Sequence, residues 1–187
     1  MGTKSELRLE LKTKLSLISD LEYKELSLKV SKNLNNLLNR LSVIQRHSAI
    51  GVFAPILKEP LWFLSLEEEF KKITAYPAYA NEMMIYRLAQ MSELVVSQDF
   101  GVNILGPLKS APEVSPEIII VPGLGFTKTG KRLGRGKGFY DRYLENHSAI
   151  KIGIAFEAQL ESDLPVDAHD VLMNFVVTDQ QIYKINV

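Results

Sequence analysis

Apolar residues recur at helical spacing in two stretches at the start of the chain. One helical face between residues 4 and 18 carries Leu7, Leu11, Leu15 and Ile18, and Lys, Arg and Glu lie between them. Ser19 and Glu22 then stand three positions apart, which is the spacing of the hydroxyl and the carboxylate in a capping box at a helix start. A second leucine-rich stripe continues to Leu41. The pattern predicts a pair of amphipathic helices whose apolar faces need a core to cover.

Short runs of apolar, often β-branched residues indicate strands in the rest of the chain. The clearest is EIIIVPG (117–123), in which four β-branched residues stand in a row before Pro-Gly stops the run. The other predicted strands are 49–53, 73–77, 83–88, 150–156 and 174–179. A third helix is predicted over 61–73, a loop-rich region over 97–116, and a further helix start within 136–147.

Helices that alternate with short, wholly apolar strands predict an α/β fold with a mainly parallel sheet, because strands buried on both faces carry no polar side. The chain has 187 residues, which suits one domain of ordinary size. It shows no internal repeat, no low-complexity linker and no break in composition. We therefore expect a single domain over residues 1–187.

The composition excludes several functional classes. Lys and Arg together number 22, as do Asp and Glu, so the formal net charge is zero and gives no reason to expect nucleic acid as a partner. Cysteine is absent, which rules out disulfides, thiolate catalysis and cysteine-ligated metals. The N-terminus lacks the apolar core of a secretory signal, and no apolar run reaches the roughly 18 residues of a membrane span. We expect a cytoplasmic protein with no membrane partner.

The most distinctive stretch is RLGRGKGFYDRYL (132–144), which follows the clearest strand and leads into the predicted helix. Ligands of open α/β sheets bind at the carboxyl ends of strands, and the free N–H groups at a helix start attract anions. Glycines let the backbone turn through positive φ and approach such an anion closely. Six positive charges and one acid lie within fifteen residues: Lys128, Lys131, Arg132, Arg135, Lys137 and Arg142, beside Asp141. This concentration favours a phosphate-binding loop over a loop of solvated charges.

Two familiar nucleotide motifs do not fit this stretch. GFTKTGKR (125–132) matches the glycines and the lysine of a P-loop, but Arg132 stands where the magnesium-binding Ser or Thr is required. GRGKGF fails the G-x-G-x-x-G spacing because its third glycine comes one residue early. A phosphate site here is therefore of another kind.

Carboxylates are available to hold a metal beside the phosphates. Asp141 follows the glycines directly, and carboxylate oxygens are the ligands that Mg²⁺ prefers. One carboxylate rarely suffices, so a second is expected from Asp167 or Asp170 in LPVDAHD (164–170), a loop between two predicted strands.

Aromatic and basic residues near the glycines allow two interpretations each. Phe139 and Tyr140 can form a wall for a flat organic substrate, or they can pack in the core. Lys4 and Arg8 are four apart and project from one face of the first helix, where they can clamp a polyphosphate. On residue types alone, a solvated helix face is the favoured explanation for this pair.

The run VPGLGFTKTGKRLGRGKGFYDRYL (121–144) closely resembles the signature of the 5-formyltetrahydrofolate cyclo-ligase family. The family pattern is a strand, Pro-Gly, Phe, a Gly-Arg-Leu-Gly segment and then Gly-x-Gly-Tyr-Tyr-Asp. Three further segments resemble the family: KSELR (4–8), FAPILKE (53–59) and LPVDAHD (164–170). The resemblance thus spans most of the chain.

The resemblance implies a three-layer α/β/α fold that includes the N-terminal helical pair. It also implies MgATP-dependent cyclisation of 5-formyltetrahydrofolate to 5,10-methenyltetrahydrofolate, with ADP and phosphate as products. In that reaction the γ-phosphoryl group passes to the formyl oxygen and N10 of the folate attacks the activated carbon. The implied partner is a small-molecule folate, which can be polyglutamylated, and the implied state is a monomer.

The resemblance also assigns roles to residues of this chain, and it reverses the preference for a solvated face at the first helix. ATP would contact Lys4, Arg8, Arg132, Leu133, Gly134, Arg135, Gly136, Lys137, Gly138, Phe139 and Tyr140. The folate would contact Ala54, Glu59, Arg135, Gly136, Lys137, Gly138 and Phe139. Magnesium would be held by Asp141 and Asp170, and the catalytic residues would be Arg135, Lys137 and Tyr140.

Four positions depart from the usual family pattern. Phe139 replaces a Tyr, Gly106 stands where many members have Glu, Trp62 lies in a usually polar stretch, and Asn174 replaces an Asp. These departures suggest that the folate half has drifted while the nucleotide half is intact. Two alternatives therefore stay open: a divergent ATP-dependent relative that acts on another formyl or pterin-like compound, and a non-catalytic folate or nucleotide binder.

Overall fold

The computed structural model describes residues 3–43, 48–80, 83–99, 102–165, 167 and 170–186 of the chain. Within them the α-helices are α1 (Lys4–Ser16), α2 (Asp20–Arg40), α3 (Glu68–Lys71) and α4 (Phe139–Glu145). The strands are β1 (Ile50–Gly51), β2 (Thr74–Ala80), β3 (Met83–Leu88), β4 (Val95–Asp99), β5 (Val102–Gly106), β6 (Glu113–Val114), β7 (Ile118–Pro122), β8 (Gly125–Phe126), β9 (Arg132–Leu133), β10 (Ile150–Ile154), β11 (Phe175–Val177) and β12 (Ile182–Lys184). Residues 100–101 of the predicted loop-rich region, and 166, 168 and 169 of LPVDAHD, lie outside the described residues.

The centre of the fold is an eight-stranded sheet in the order β12-β11-β10-β7-β1-β2-β3-β6. The strands from β11 to β2 pair in parallel. The pairs β11–β12, β2–β3 and β3–β6 are antiparallel. The prediction of a mainly parallel sheet is confirmed, and the predicted strands all form within a few residues of their expected ends.

Side chains of the central strands alternate between two buried clusters, one on each face of the sheet. In β7, Ile118 and Ile120 belong to one cluster, whereas Ile119 and Val121 belong to the other. The first cluster includes the apolar faces of α1, α2 and α3, and the second includes that of α4. Helices thus cover both faces, which confirms the three-layer α/β/α architecture with its N-terminal helical pair.

Hydroxyl caps fix the starts of both N-terminal helices. Thr3 and Glu6 form a reciprocal capping box, in which the Thr3 N–H donates to the Glu6 carboxylate at 2.7 Å. The Ser19 hydroxyl accepts the Glu22 N–H at 3.2 Å, which is one half of the predicted capping box. The first box sets the position of the first turn of α1, which carries Lys4.

The prediction of a third helix over 61–73 is wrong for most of that range. Only Glu68–Lys71 is helical, and residues 62–65 form turns. The buried Trp62 donates its indole N–H to the Phe53 carbonyl at 2.8 Å. Ser31 of α2 bonds to both the Trp62 carbonyl and the Ser65 N–H. The backbone of this segment therefore forms short turns that are bonded to α2, which an apolar pattern does not reveal.

The predicted loop-rich region contains a hairpin that the sequence analysis missed. Strands β4 and β5 pair antiparallel as a separate two-stranded sheet. Residues Ile104 and Leu105 of β5 reach the main cavity of the molecule. A second small hairpin, β8–β9, leads directly into the glycine-rich loop.

Candidate active site

One cavity of about 770 Å³ lies at the carboxyl ends of β7, β1 and β2. Its walls come from α1, the loop after β1, the glycine-rich loop and the start of α4. All the site residues predicted from the sequence line it: Lys4, Arg8, Ala54, Glu59, Arg132, Leu133, Gly134, Arg135, Gly136, Lys137, Gly138, Phe139, Tyr140, Asp141 and Asp170. The fold therefore brings together segments that are far apart in the sequence, at the edge where open α/β sheets bind ligands.

The glycine-rich loop depends on two backbone conformations that favour glycine. Gly136 has φ of 103°, and Gly138 has φ of 67° at the residue that precedes α4. Residues with a Cβ rarely adopt these values. The backbone can therefore turn twice within three residues, and the side chains of Arg135 and Lys137, on either side of Gly136, both reach the cavity wall.

Arg132 and Asp141 form a largely buried ion pair behind this loop. Arg132 Nη2 donates to Asp141 Oδ1, and Arg132 Nη1 donates to the Pro122 carbonyl at 3.1 Å. The Arg132 side chain is only 5% exposed. A Cβ on Gly134 would lie 3.0 Å from Arg132 Nη1, so glycine leaves room for the guanidinium. The pair ties the end of β7 to the first turn of α4.

The first helix contributes two cations to the same wall. Lys4 Nζ donates to Asp167 Oδ2 and Asp170 Oδ2, each at 2.7 Å. Burial lowers the pKa of Lys4, but the bonds to both carboxylates outweigh it, and the pKa lies above its ordinary value. Arg8 Nε donates to the Gly134 carbonyl at 2.9 Å. Neither residue is on a merely solvated face, so the tertiary contacts overturn the preference drawn from residue types.

Asp170 is the better placed of the two late aspartates. Burial raises its pKa, but the bond from Lys4 and the Asp167 N–H, which donates to Asp170 Oδ2 at 2.6 Å, hold the pKa below its ordinary value. Asp167 has a side chain that is 74% exposed, against 19% for Asp170. The carboxylate of Asp170 is therefore fixed in the ionised form at the cavity wall.

Glu59 is a buried carboxylate on the other side of the loop. It is 4% exposed, and Oε2 accepts the Ile56 N–H at 3.1 Å within a tight turn after β1. Arg135 Nε donates to Oε1 at 2.8 Å. Burial raises the pKa of Glu59, and Arg135 opposes this rise only in part, so the pKa lies above its ordinary value. A desolvated carboxylate of this kind is a strong acceptor for N–H groups of a ligand.

The two aromatic residues after the glycines lie between the cavity and the core. Phe139 and Tyr140 line the cavity and also pack against the second core cluster. The Tyr140 hydroxyl lies near that of Tyr86, but it makes no hydrogen bond to any described residue. Burial raises the pKa of Tyr140 far above the ordinary range, so the hydroxyl keeps its proton and can act as a donor.

The donor set fits magnesium without completing a site from protein ligands alone. No group of three His, Asp or Glu residues with ligand geometry occurs in the described part of the chain. Asp141 and Asp170 both face the cavity, and both lie beside Arg132. Mg²⁺ commonly binds through one or two carboxylates plus phosphate oxygens and water. These two aspartates match that pattern.

The cavity also includes residues that the sequence analysis did not single out as site residues. Tyr79 and Pro77 of β2 line it, together with Ile104 and Leu105 of the β4–β5 hairpin and Arg142 of α4. Tyr79 lies near the carboxyl end of a predicted strand, so the sequence could have indicated that it lines the cavity. No such indication existed for the hairpin residues, because their strands were not predicted.

Three of the four departures from the family pattern lie away from the cavity. Trp62 is buried in the core, Gly106 ends β5, and Asn174 Oδ1 accepts the Lys151 N–H at 2.8 Å at the edge of the sheet. Only Phe139 reaches the cavity wall. Trp62 and Asn174 thus have structural roles in this chain, while a drift of the folate half stays a prediction.

Comparison with known proteins gives a consistent result over the whole chain. The model of the 5-formyltetrahydrofolate cyclo-ligase family matches residues 1–179. A 5-formyltetrahydrofolate cyclo-ligase of Mus musculus is 31% identical, with 94% of this chain and 93% of the relative covered. A cyclo-ligase of Mycoplasma pneumoniae is 28% identical, with 95% and 99% covered.

Solved structures agree with the sequence relatives. The 5,10-methenyltetrahydrofolate synthetase of Aquifex aeolicus superposes with a TM-score of 0.79 at 28% identity and covers 98% of this chain and 93% of its own. The synthetase of Mycoplasma pneumoniae superposes with a TM-score of 0.74 at 26% identity and covers 95% and 99%. Among the described residues, no helix is both long and apolar enough to cross a bilayer.

Proposed function

The chain belongs to the 5-formyltetrahydrofolate cyclo-ligase family, and we propose how its own residues convert 5-formyltetrahydrofolate to 5,10-methenyltetrahydrofolate. The observation that supports the proposal is a single cavity with two unlike halves. One half carries Lys4, Arg132 and the two aspartates, and the other carries the buried Glu59. Arg135 lies between them, because it sits on the glycine loop and bonds to Glu59.

The cationic half binds the phosphates of ATP. Lys4, Arg8 and Arg132 converge on the glycine loop, whose positive-φ turns allow backbone N–H groups to approach an anion. Each of these cations is held in place by a hydrogen bond to a fixed partner, so little side-chain freedom is lost on binding. Lys137 lines the same cavity from the loop.

Asp141 and Asp170 would hold Mg²⁺ beside those phosphates. Magnesium, when bound, neutralises charge that develops on the transferred phosphoryl group. Asp170 is suited to this because it stays ionised, and Asp141 because Arg132 fixes its orientation.

Glu59 and the wall around Ala54 hold the folate. The pterin ring presents N–H groups that a buried carboxylate can accept, and Glu59 is preceded by the turn that rigidly positions it. Phe139 borders the flat ring system from the glycine-loop side. This arrangement orients the formyl group of the substrate toward the cationic half.

The reaction then proceeds by two displacements. The formyl oxygen attacks the γ-phosphorus, and the bond from that phosphorus to the bridging oxygen breaks to release ADP. N10 next attacks the activated formyl carbon, the carbon–oxygen bond breaks to release phosphate, and the N10 proton passes to that phosphate. Arg135 and Lys137 stabilise the charge on the phosphoryl group, and Tyr140 donates its hydroxyl proton in a hydrogen bond to it. Positioning of this kind supplies roughly 7–11 kcal/mol in ideal intramolecular cases.

We further propose that the chain acts as a single domain, because one eight-stranded sheet joins its helices, and as a monomer, as the family resemblance implies. The test is to mix purified protein with MgATP and 5-formyltetrahydrofolate and to follow the absorbance of the methenyl product. Asp141→Asn should abolish turnover. Asp163→Asn is the matched control, because Asp163 pairs with Lys131 on the surface outside the cavity. Full activity in Asp141→Asn would contradict the metal assignment, and no activity in the wild type would contradict the reaction.

A further inference from the structure

Helix α2 holds the turn that carries Glu59, and it does so from outside the cavity. The Tyr23 hydroxyl donates to the main-chain carbonyl of Glu59 at 2.7 Å. The Tyr23 ring packs against the first core cluster, edge-on to Phe156 with 6.0 Å between the ring centroids. Tyr23 itself does not line the cavity, and the proposed chemistry gives it no role. The hydrogen bond therefore links a residue at the core to the backbone of a cavity residue.

Tyr23 belongs to a row of α2 side chains that bond to the segment after β1. Their spacing puts them on one helical face, and they are Asp20, Tyr23, Ser27 and Ser31. Asp20 Oδ1 accepts from Lys58 Nζ at 2.6 Å, and the buried Ser27 accepts the Leu61 N–H at 3.1 Å. Among the described residues that this row bonds, only Glu59 lines the cavity. Tyr23 is therefore the member of the row that bears directly on the site.

The turn that Tyr23 contacts has a strained backbone. Leu57 has φ of 54°, a value that residues with a Cβ rarely adopt. Strain of this kind persists only where the surrounding structure holds the backbone in place. The Leu57 side chain is 79% exposed, so its own packing contributes little to that hold. The Glu59 N–H closes the turn onto the Ile56 carbonyl at 3.1 Å, and the bond from Tyr23 fixes the same residue from α2.

The Tyr23 hydroxyl is a permanent donor to this turn. Burial, and then the nearby charge of Glu59, raise the pKa of Tyr23 to about 12. The hydroxyl therefore keeps its proton throughout the neutral range and donates it to the carbonyl.

We infer that Tyr23 is a positioning residue for folate recognition, which acts through Glu59. Its hydroxyl holds the strained turn in the conformation that places the Glu59 carboxylate at the cavity wall. This inference rests on the proposed function, because the folate is the ligand that we assign to Glu59.

Tyr23→Phe tests the inference, because it removes the hydroxyl and keeps the ring in the core. The Kd for 5-formyltetrahydrofolate should rise about fivefold, the factor that one ordinary hydrogen bond is worth, and the Kd for a non-hydrolysable ATP analogue should not change. Tyr183→Phe is the matched control, because the Tyr183 hydroxyl donates to Glu157 Oε1 at 2.6 Å and does not line the cavity. Equal losses for both ligands in Tyr23→Phe would mean general destabilisation and would overturn the inference.

Two double variants separate positioning from packing. In a Glu59→Gln background, Tyr23→Phe should add less than a twofold loss of folate affinity, because the hydroxyl acts through that carboxylate. A further fivefold loss would assign Tyr23 to packing alone and would overturn the inference. Leu57→Asn should restore part of the folate affinity of Tyr23→Phe, since asparagine adopts positive φ more readily than leucine. No recovery would contradict strain in the turn as the reason for the contact.

Amide hydrogen exchange tests the contact without any ligand. The N–H groups of Ile56 and Glu59 should exchange about fivefold faster in Tyr23→Phe than in the wild type, because both donate within the turn. Unchanged exchange would overturn the inference.

The binding measurements also separate this inference from the proposed reaction. Folate binding that depends on Tyr23, without formation of methenyl product by the wild type, would contradict the reaction and support the role of Tyr23. Product formation with an unchanged folate Kd in Tyr23→Phe would contradict the role of Tyr23 alone.

Discussion

Arg135 donates its Nε hydrogen to Oε1 of the buried Glu59 at 2.8 Å, which links the glycine loop to the turn after β1. The Arg135 guanidinium is therefore bonded to the same Glu59 carboxylate that we propose as the acceptor for the pterin ring. Both groups are planar and present N–H donors, so they compete for the same acceptor. A nucleotide offers Arg135 a second anionic partner, because Arg135 sits on the loop that we assign to the phosphates.

This competition predicts positive coupling between the two substrates. A non-hydrolysable ATP analogue with Mg²⁺ should lower the Kd for 5-formyltetrahydrofolate by about fivefold or more, and the folate should tighten nucleotide binding by the same factor. Arg135→Ala should lose most of this coupling, because no side chain is left to exchange partners. Isothermal titration with and without the second ligand measures both factors. Arg40→Ala serves as a control, and undiminished coupling in Arg135→Ala would refute the exchange.

Glu59→Gln should separate folate recognition from nucleotide recognition. Glutamine has nearly the same shape, but it carries no charge. Its amide NH₂ is itself a donor, so it cannot accept the N–H groups of the ligand as a carboxylate oxygen does. The Kd for 5-formyltetrahydrofolate should rise about tenfold or more, with the Kd for the ATP analogue nearly unchanged. Glu68→Gln, at an exposed position in α3, is the matched control. Comparable losses for both ligands would remove Glu59 from the folate site.

The same substitution should not destabilise the fold at neutral pH. Burial raises the pKa of Glu59 above its ordinary value, so the ionised carboxylate opposes folding at every pH above that raised pKa. The penalty disappears as the pH falls through the raised pKa to the ordinary one, because the folded protein takes up the proton first. Glu59→Gln should therefore match or exceed wild-type stability at pH 7 to 8, and any advantage should shrink on acidification. Thermal unfolding across pH tests this, and a large loss of Tm at neutral pH would show that the Arg135 pair dominates.

The capping box at the start of α1 should support nucleotide binding. Thr3→Ala removes the hydroxyl that accepts the Glu6 N–H, which should cost about 1 kcal/mol of unfolding free energy. Lys4 lies in the frayed turn, so KM for ATP should rise more than KM for the folate. Thr13→Ala is the control, because the Thr13 hydroxyl bonds to the Leu9 carbonyl inside the same helix. Urea unfolding and steady-state kinetics report the two effects, and equal changes in both KM values would argue against a local cause.

Much of the fold follows from local patterns. The leucine stripes located α1 and α2, and the run of β-branched residues located β7. Each of these elements buries a continuous apolar face, so its periodicity is strong. A helix was wrongly predicted over residues 61–73, because their apolar side chains pack from turns whose backbone bonds to Ser31. The β4–β5 hairpin was missed because glycines and prolines surround its short strands.

The chemistry of the site was similarly divided between local and distant information. The glycines, cations and Asp141 occupy one continuous stretch, so the sequence by itself determined the resemblance to the family and predicted an anion site. Lys4, Glu59 and Asp170 come from three distant segments, and on residue types alone Lys4 belonged to a solvated face. Only the tertiary structure decided that Lys4 meets Asp170, that Glu59 is buried against Arg135, and that Arg142 lies beside Phe139. The physical reason is that partner choice and desolvation depend on which strand ends the sheet order places side by side, and no local pattern encodes that order.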